Sequence, residues 1–370
     1  MSDSTERCEA ALAAMCGRRH CVLVGRGATA LWMAYSMSNP AKRRVVLPGL
    51  ICLSPLFTVK YADRLPLVAD VEGDTATIDV VSVEKLLSGE HDVGAVVAVH
   101  LYGNTANVSA LGDICARNGV LLIEDAAQAL GGRYADGAPF GSRGDISVLS
   151  FGHTKILDAG GGGAFLTDSD ELASRAREMA SQLPGKPDGL ADIQEIYRRM
   201  YYAVDDLAKV KPGATRMLAE FPDLFREMYL YAAENATADG IVRALGSLND
   251  ELAHRTELAD LCVESLVDVP GITCLTTGGS GVTWRFTFRV ASPVRQGLLE
   301  RVRVEGYDIS SWYPSIAGWV GEVGGQNEGG CPVASRLSAE VVNIWVNGQY
   351  SSDRVKELLA LIRGFMSDHV

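Results

Sequence analysis

Residues 120–132 read VLLIEDAAQALGG, and residues 145–163 read DISVLSFGHTKILDAGGGG. Each stretch carries a short, continuous apolar run that ends in residues able to do chemistry. Val120 to Ile123 runs into Glu124 and Asp125, and Ile146 to Leu149 runs into Ser150, His153, Thr154 and Lys155. Apolar runs of this length without polar alternation read as strands buried on both faces, as in a parallel sheet covered by helices. After the first run, AAQALG reads as the start of a helix. Ligands in such sheets bind beyond the carboxyl ends of the strands, where Asp125 and Lys155 both fall.

The same pattern extends on either side. CVLVG (21–25), RRVVLPG (43–49), PLVADVEG (66–73) and VGAVVAVHLYG (93–103) read as further strands. They alternate with helical text at 5–17, 30–37 and 109–119, the last stopped by Gly119. GGAFLTD (162–168) is a strand leaving the glycine loop, and ELASRAREMA is the helix after it. Beyond PGKPDGLAD (184–192), two stretches rich in Tyr, Met and Leu read as helices, IQEIYRRMYYAVDDLAKV and TRMLAEFPDLFREMYLYAAEN. Their apolar stripes fit core or subunit interface better than substrate contact. From about residue 250 the pattern restarts. A helix leads to the alternating strand VTWRFTFRV (282–290), then to EVVNIWVN and a final helix from 351. The expected organisation is α/β: a large, mostly parallel-sheet unit over 1–248, including a helical segment at 183–235, and a smaller α+β unit over 249–370.

Composition agrees with a packed globular chain of 370 residues, with 47% hydrophobic and 22% charged residues. The formal net charge of -12 disfavours non-specific binding to nucleic acid or an anionic membrane. The eight cysteines include no CxxC pair, so they read as reduced, buried hydrophobes, and no metal site is expected. The polar, acidic start MSDSTERCEAALAAM does not read as a signal peptide. No run approaches the roughly 18 apolar residues of a membrane span, and the cytoplasm is the expected location.

Three pieces of the first unit point to one kind of site. Asp125 places a carboxylate at a strand end, where it is costly without a partner. It suits the task of keeping a ring nitrogen protonated, with helix capping as the plain alternative. Gln128 follows nearby. Lys155 lies between a buried strand and four glycines, and a desolvated amine there is a free base able to form an imine. GRGATA (25–30) joins a strand to a helix, so its backbone N–H groups form an anion cradle to which Ser150 adds a hydroxyl. A dinucleotide fingerprint is absent, because residue 30 is Ala.

These motifs resemble the DegT/DnrJ/EryC1/StrS family of fold-type I pyridoxal-phosphate aminotransferases. The resemblance rests on GRGATAL, VVLPGLICLSP, VVAVHLYGNTANVSAL, NGVLLIEDAAQALGG and FGSRGDISVLSFGHTKILDAGGGGAFLTD, and returns at GYDISSWYP and CPVASRL. It implies that pyridoxal 5'-phosphate is the cofactor and Lys155 the imine-forming lysine, with Asp125 on the pyridine nitrogen and Gln128 near the ring hydroxyl. Gly27, Ala28, Thr29 and Ser150 then match the phosphate positions. It also implies a homodimer with shared sites, glutamate or glutamine as amino donor, and a keto sugar, keto cyclitol or related secondary-metabolite ketone as acceptor.

The chain departs from the family pattern in several places. Arg26, Gly27 and Ala28 stand where members carry Ser-Gly-Thr, and Thr29 offers the replacement hydroxyl. Cys52 stands where an aromatic residue often stacks on the ring. The family's Asn-Tyr-Arg segment has only LYAAENAT near 230–237, leaving Asn235 as a partial match. His153 is a candidate donor behind the ring, with a plain loop position as the alternative. Arg285 and Tyr313 are candidate substrate contacts, Arg285 for a carboxylate. A pyridoxal-phosphate lyase or dehydratase, and a non-catalytic cofactor-binding homologue, are the alternative functions.

Overall fold

The computed structural model describes residues 3–89, 92–275, 281–327 and 330–369. Seven strands form the main sheet: β1 (His20–Val24), β2 (Arg44–Pro48), β3 (Leu65–Ala69), β4 (Val93–Val99), β5 (Leu121–Asp125), β6 (Ile146–Ser150) and β7 (Gly163–Thr167). Their order is β1-β7-β6-β5-β4-β2-β3. Strands β3, β2, β4, β5 and β6 are mutually parallel, and β7 runs antiparallel to both β6 and β1. All seven residues of β4 are buried, which is why its text is apolar without alternation.

Helices α1 (Asp3–Cys16), α2 (Gly27–Met37), α3 (Leu53–Tyr61), α4 (Val80–Ser88), α5 (Val108–Asn118) and α6 (Asp170–Ser181) occur among these strands. Their ends follow from local chemistry. The Asp79 side chain accepts the N–H groups of Val81 and Ser82 at the start of α4, and Ser169 accepts that of Leu172 in α6. Gly119 ends α5 in the left-handed conformation. Lys42 Nζ donates to the carbonyls of Asn118 and Gly119 at that end, which caps the helix with a positive charge.

Two sequence expectations change. Residues 126–131 form successive turns instead of a helix start, with Ala129 N–H donating to Ala126 O and Gly132 N–H to Ala129 O. The backbone is diverted at once because the Asp125 carboxylate accepts the Ala127 N–H. In the divergent segment, the first helix is real, α7 (Leu190–Val210), but the second is broken. It becomes a 3-10 stretch, Pro212–Glu220, and two single turns, Phe221–Leu224 and Arg226–Tyr229. Pro212 and Pro222 lack the N–H that a continuous helix requires.

Four antiparallel strands form a second sheet: β8 (Thr273–Cys274), β9 (Phe286–Arg289), β10 (Ile309–Ser310) and β11 (Val341–Ile344), in the order β10-β11-β9-β8. Its apolar cluster includes Phe286, Phe288, Leu298 and Ile362. The segment carrying Tyr313, Ile316 and Val320 packs instead on the cluster of the main sheet. No helix among the described residues is long and apolar enough to cross a membrane.

Glu124 is fully buried under the end of β5. Its carboxylate accepts the Tyr134 hydroxyl at 2.7 Å and the backbone N–H groups of Gly141, Arg143 and Gly144. His100 Nδ1 accepts the Ala106 N–H, so Nε2 carries the proton and donates to Glu124 at 3.1 Å. Burial pushes the Glu124 carboxyl up, but the hydrogen bond from His100, with those from Tyr134 and Gly141, holds it at about 2. A lowered folded-state pKa stabilises the fold above the ordinary carboxyl range, and that stability is lost as pH falls toward 2. Glu124→Gln is expected to cost about 3–5 kcal/mol in denaturant unfolding. The variant should also lose part of the wild type's destabilisation between pH 4.5 and 2. An unfolding midpoint equal to wild type at pH 7 would contradict this.

Candidate active site

Side chains alternate along a strand, so Glu124 and Asp125 point to opposite faces of β5. Asp125 is buried, and its Oδ1 accepts the Ala127 N–H at 2.9 Å. Burial raises its pKa, while that hydrogen bond and the charge of Lys155 oppose the rise. Lys155 follows β6, the neighbour of β5, in a tight loop where its N–H donates to Gly152 O. The residue as a whole is half-buried, but its amine is enclosed. Burial lowers the amine pKa; Cys52 and Asp125 raise it, and Arg285 and Arg26 lower it further. The net shift is downward, which enriches the nucleophilic free base near neutral pH.

The anion cradle lies beside this pair. Arg26 is the N-cap of α2 and makes no side-chain cap, so the first turn is not closed by its own side chain. A Cβ on Gly27 would come within 2.8 Å of Ser150 Cβ, so only glycine lets α2 approach the end of β6 this closely. A cavity of about 250 Å³ opens here, lined by Arg26, Ser54, Ser150, Lys155, Tyr197 and Tyr229 among others. Its glycine wall includes Gly160 and Gly161, where an added Cβ would meet only open space.

Other expected residues fall in different places. Ala28 and Thr29 lie in the first turn of α2, but the Thr29 hydroxyl is committed to Tyr229 O at 2.6 Å. Cys52 is the N-cap of α3 and shares the electrostatic environment of Lys155 and Asp125; burial raises its thiol pKa. Gln128 Oε1 accepts the Tyr102 N–H, and its Nε2 donates to the Tyr313 hydroxyl at 3.1 Å. Tyr102, Tyr313 and Trp284 form a stacked wall, with successive ring centroids 6.1 Å and 5.9 Å apart. The Lys155 amine lies 5.8 Å from the Trp284 ring centroid. Arg285 is held between the Trp284 and Trp345 rings, at 4.3 Å and 3.7 Å, and donates to Ser310 Oγ. Its buried Nε has no hydrogen-bond partner.

His153 points away from the cavity, and Asn235, matched to a segment that serves the partner subunit's site in the family, lies on the surface. The His153 side chain is largely exposed and faces Asp158 at 3.4 Å, although its loop borders the cavity. Asn235 is exposed at the start of helix Asn235–Leu245, where its Oδ1 accepts the Thr5 hydroxyl. Conversely, Arg26, Ser54, Tyr197 and Tyr229 line the cavity without having been singled out. Only Arg26 carried a signal, as a charged residue at a strand-to-helix junction. The tyrosines reach the site through long-range packing. Gly25 N–H donates to Tyr231 O, and Arg26 Nη1 donates to Met228 O.

A parallel-centred sheet with an enclosed lysine and a buried carboxylate at adjacent strand ends has the architecture of fold-type I pyridoxal-phosphate enzymes. The profile of the DegT/DnrJ/EryC1/StrS aminotransferase family matches residues 1–198, and the chain belongs to this family. It is 33% identical over 175 residues to a GDP-perosamine synthase of Caulobacter vibrioides, covering 47% of the chain and 46% of that protein. It is 35% identical over 177 residues to an L-glutamine:2-deoxy-scyllo-inosose aminotransferase of Streptoalloteichus tenebrarius, covering 48% and 41% respectively. These matches thus span under half the length of the curated relatives. The solved structure of Helicobacter pylori PseC, an aminotransferase involved in the biosynthesis of pseudoaminic acid, superposes with a TM-score of 0.81 at 15% identity. That likeness covers 100% of this chain and 92% of PseC and concerns the fold.

The residues present fit pyridoxal phosphate. An enclosed amine suits its aldehyde, the buried Asp125 suits its ring nitrogen, and an uncapped helix start with Ser54, Ser150 and Arg26 suits its phosphate. Arg26 has no counterpart in the usual Ser-Gly-Thr text. Replacing it with alanine removes a positive charge near Lys155 and therefore raises the amine pKa. Arg26→Ala is expected to weaken cofactor binding about tenfold or more, as loss of a charged hydrogen bond would. The pH profile of cofactor capture, followed by absorbance, should move upward. Unchanged affinity and pH profile would show that Arg26 only packs against Met228 and Tyr229.

Proposed function

We propose that this chain is a pyridoxal-phosphate aminotransferase that takes an amino group from glutamate or glutamine and places it on a keto sugar, keto cyclitol or related ketone. The observation that carries this reading is the enclosed Lys155 amine, with lowered pKa, sharing its surroundings with the buried carboxylate of Asp125. The relatives named above include one acting with L-glutamine on a cyclitol ketone, which supports the donor and acceptor classes.

Lys155 holds the cofactor through its amine. Asp125 would hold the ring nitrogen and keep it protonated. Bound in this way, the cofactor supplies an electron sink for the substrate carbon that loses its proton. The Lys155 amine, when not bonded to the cofactor, would be the base that holds this proton and returns it. Gln128 and Tyr313 fix each other, so that Gln128 would meet the ring hydroxyl with an already settled side chain. Tyr102, Tyr313 and Trp284 wall off water on one side. Arg285 receives a substrate carboxylate at the guanidinium edge left without a partner. The division at residue 248 is part of this proposal: the first unit holds the cofactor, and the second contributes Arg285 and Tyr313. The chain acts as a homodimer.

The test is a donor screen on the cofactor-loaded protein. Glutamate or glutamine alone should convert the visible absorbance of the lysine-bound cofactor to that of its amine form, and a keto acceptor should reverse the change. Lys155→Ala should abolish the starting absorbance. Arg285→Gln should raise the KM of its carboxylate-bearing substrate about tenfold or more, as loss of a charged hydrogen bond predicts. Release of ammonia or of a β-substituent without a second substrate would instead indicate a lyase. Failure of every donor would contradict the reading.

A further inference from the structure

The exposed apolar surface of this chain is concentrated in one segment. Among the described residues, Ile196, Met200, Tyr202, Leu207, Val210, Met217 and Leu224 are exposed large hydrophobics, whereas Val81, Val242, Val267 and Val304 are scattered elsewhere. A contiguous patch of this kind marks an interaction site, while single exposed residues do not.

The pattern on α7 specifies the kind of partner. Ile196, Met200, Ala203, Leu207 and Val210 are all exposed, and their spacing alternates between four and three residues. That spacing forms a straight seam along a helix, as in a coiled coil. The inward face of α7 is already occupied. Tyr197 packs edge-on against Phe221, Phe225 and Tyr229, and Tyr201 stacks on Trp312 at 5.9 Å. The seam is therefore a second apolar face beside the first, and it is left exposed among the described residues.

The seam is nearly symmetric about Ala203. Ile196 and Val210 flank that alanine at equal spacing, and Met200 and Leu207 do so within one residue. The charges beside it follow the same symmetry with opposite signs: Arg199, which also bonds to Glu195 at 2.6 Å within the helix, lies on the amino-terminal side and Asp206 on the carboxyl-terminal side, both exposed on one flank of the seam. When two such helices lie antiparallel about a two-fold axis at Ala203, each Arg199 meets Asp206 of the partner subunit. A closed two-fold interface requires this self-complementarity, which an unrelated partner would not.

We infer that α7 pairs antiparallel with α7 of a second copy of this chain, with Ala203 at the two-fold axis and Arg199–Asp206 pairs on either side. This rests on the proposed homodimer and assigns its contact. It also gives the contact a role at the site. The inward face of α7 carries Tyr197, which lines the cavity beside Lys155. Asp206 lines a larger cavity of about 700 Å³ that also includes Arg285, Arg295 and Arg303. The partner helix therefore braces the roof of the cofactor cavity and brings a further arginine to the rim of the neighbouring one.

Sedimentation velocity on the full-length, cofactor-loaded protein tests the assignment. The wild type should be a dimer. Leu207→Glu should shift it to monomer while the circular dichroism stays native. Arg199→Asp and Asp206→Arg should each weaken the dimer about tenfold or more, and the two together should restore it. The rescue separates a lost interface from a misfolded helix. A monomeric wild type, a dimer indifferent to Leu207→Glu, or charge reversals that show no mutual rescue would overturn the proposal. The visible absorbance of the same samples reports cofactor binding separately, so failure of the interface and failure of the aminotransferase reading give different results.

Discussion

Two neighbouring carboxylates at the end of β5 govern the site. Strand alternation sends Glu124 behind the sheet and Asp125 toward the cavity. Behind, Glu124 is surrounded by donors from His100, Tyr134 and the 141–144 loop, so its charge is fully compensated and its pKa is held at about 2. In front, Asp125 has a backbone donor at one oxygen, from Ala127, and the charge of Lys155 nearby. The first group ties three loops to the strand end. The second is left with the capacity to bind something else. A buried carboxylate with unused acceptor capacity is costly unless a ligand meets it, and a protonated ring nitrogen does so.

Lys155 depends on the same arrangement. It lies on the neighbouring parallel strand connection, so the register between β5 and β6 decides how close amine and carboxylate come. The amine is pulled in both directions, by burial and by Arg26 and Arg285 toward the free base, and by Asp125 and Cys52 toward the charged form. Burial prevails. Arg26 thus joins two tasks that the family's usual serine does not combine: it lines the cavity beside Ser150, and it biases the lysine toward its reactive form. The roof, Tyr197 and Tyr229, comes from a segment remote from Gly25 in sequence, held by the bond between Gly25 N–H and Tyr231 O.

The sheet, and the placing of Asp125 and Lys155 at the ends of adjacent strands, were legible because each is encoded locally. Continuous apolar runs announce buried strands, and a charged residue straight after such a run is conspicuous. What escaped reading is non-local. Asn235 matches a segment that in the family lines the site from the partner subunit, and in this chain it sits on the surface beside Thr5. His153 shares a loop with Lys155 but turns outward to Asp158, since the loop must reverse direction to bring the lysine inward. Tyr197 and Tyr229 read as generic core residues, and they are core residues, but the core they build is the roof of the cavity. The helix expected after Asp125 was overruled by the carboxylate itself, which captures the Ala127 N–H.

The central claim is that Lys155 is the one amine placed to hold the cofactor. Borohydride reduction of the cofactor-loaded protein, followed by peptide mapping, measures this directly, because it fixes the cofactor on whichever lysine carries it. The account predicts a single pyridoxyl label on the peptide containing Lys155. A label on another lysine, or none on any, would contradict it.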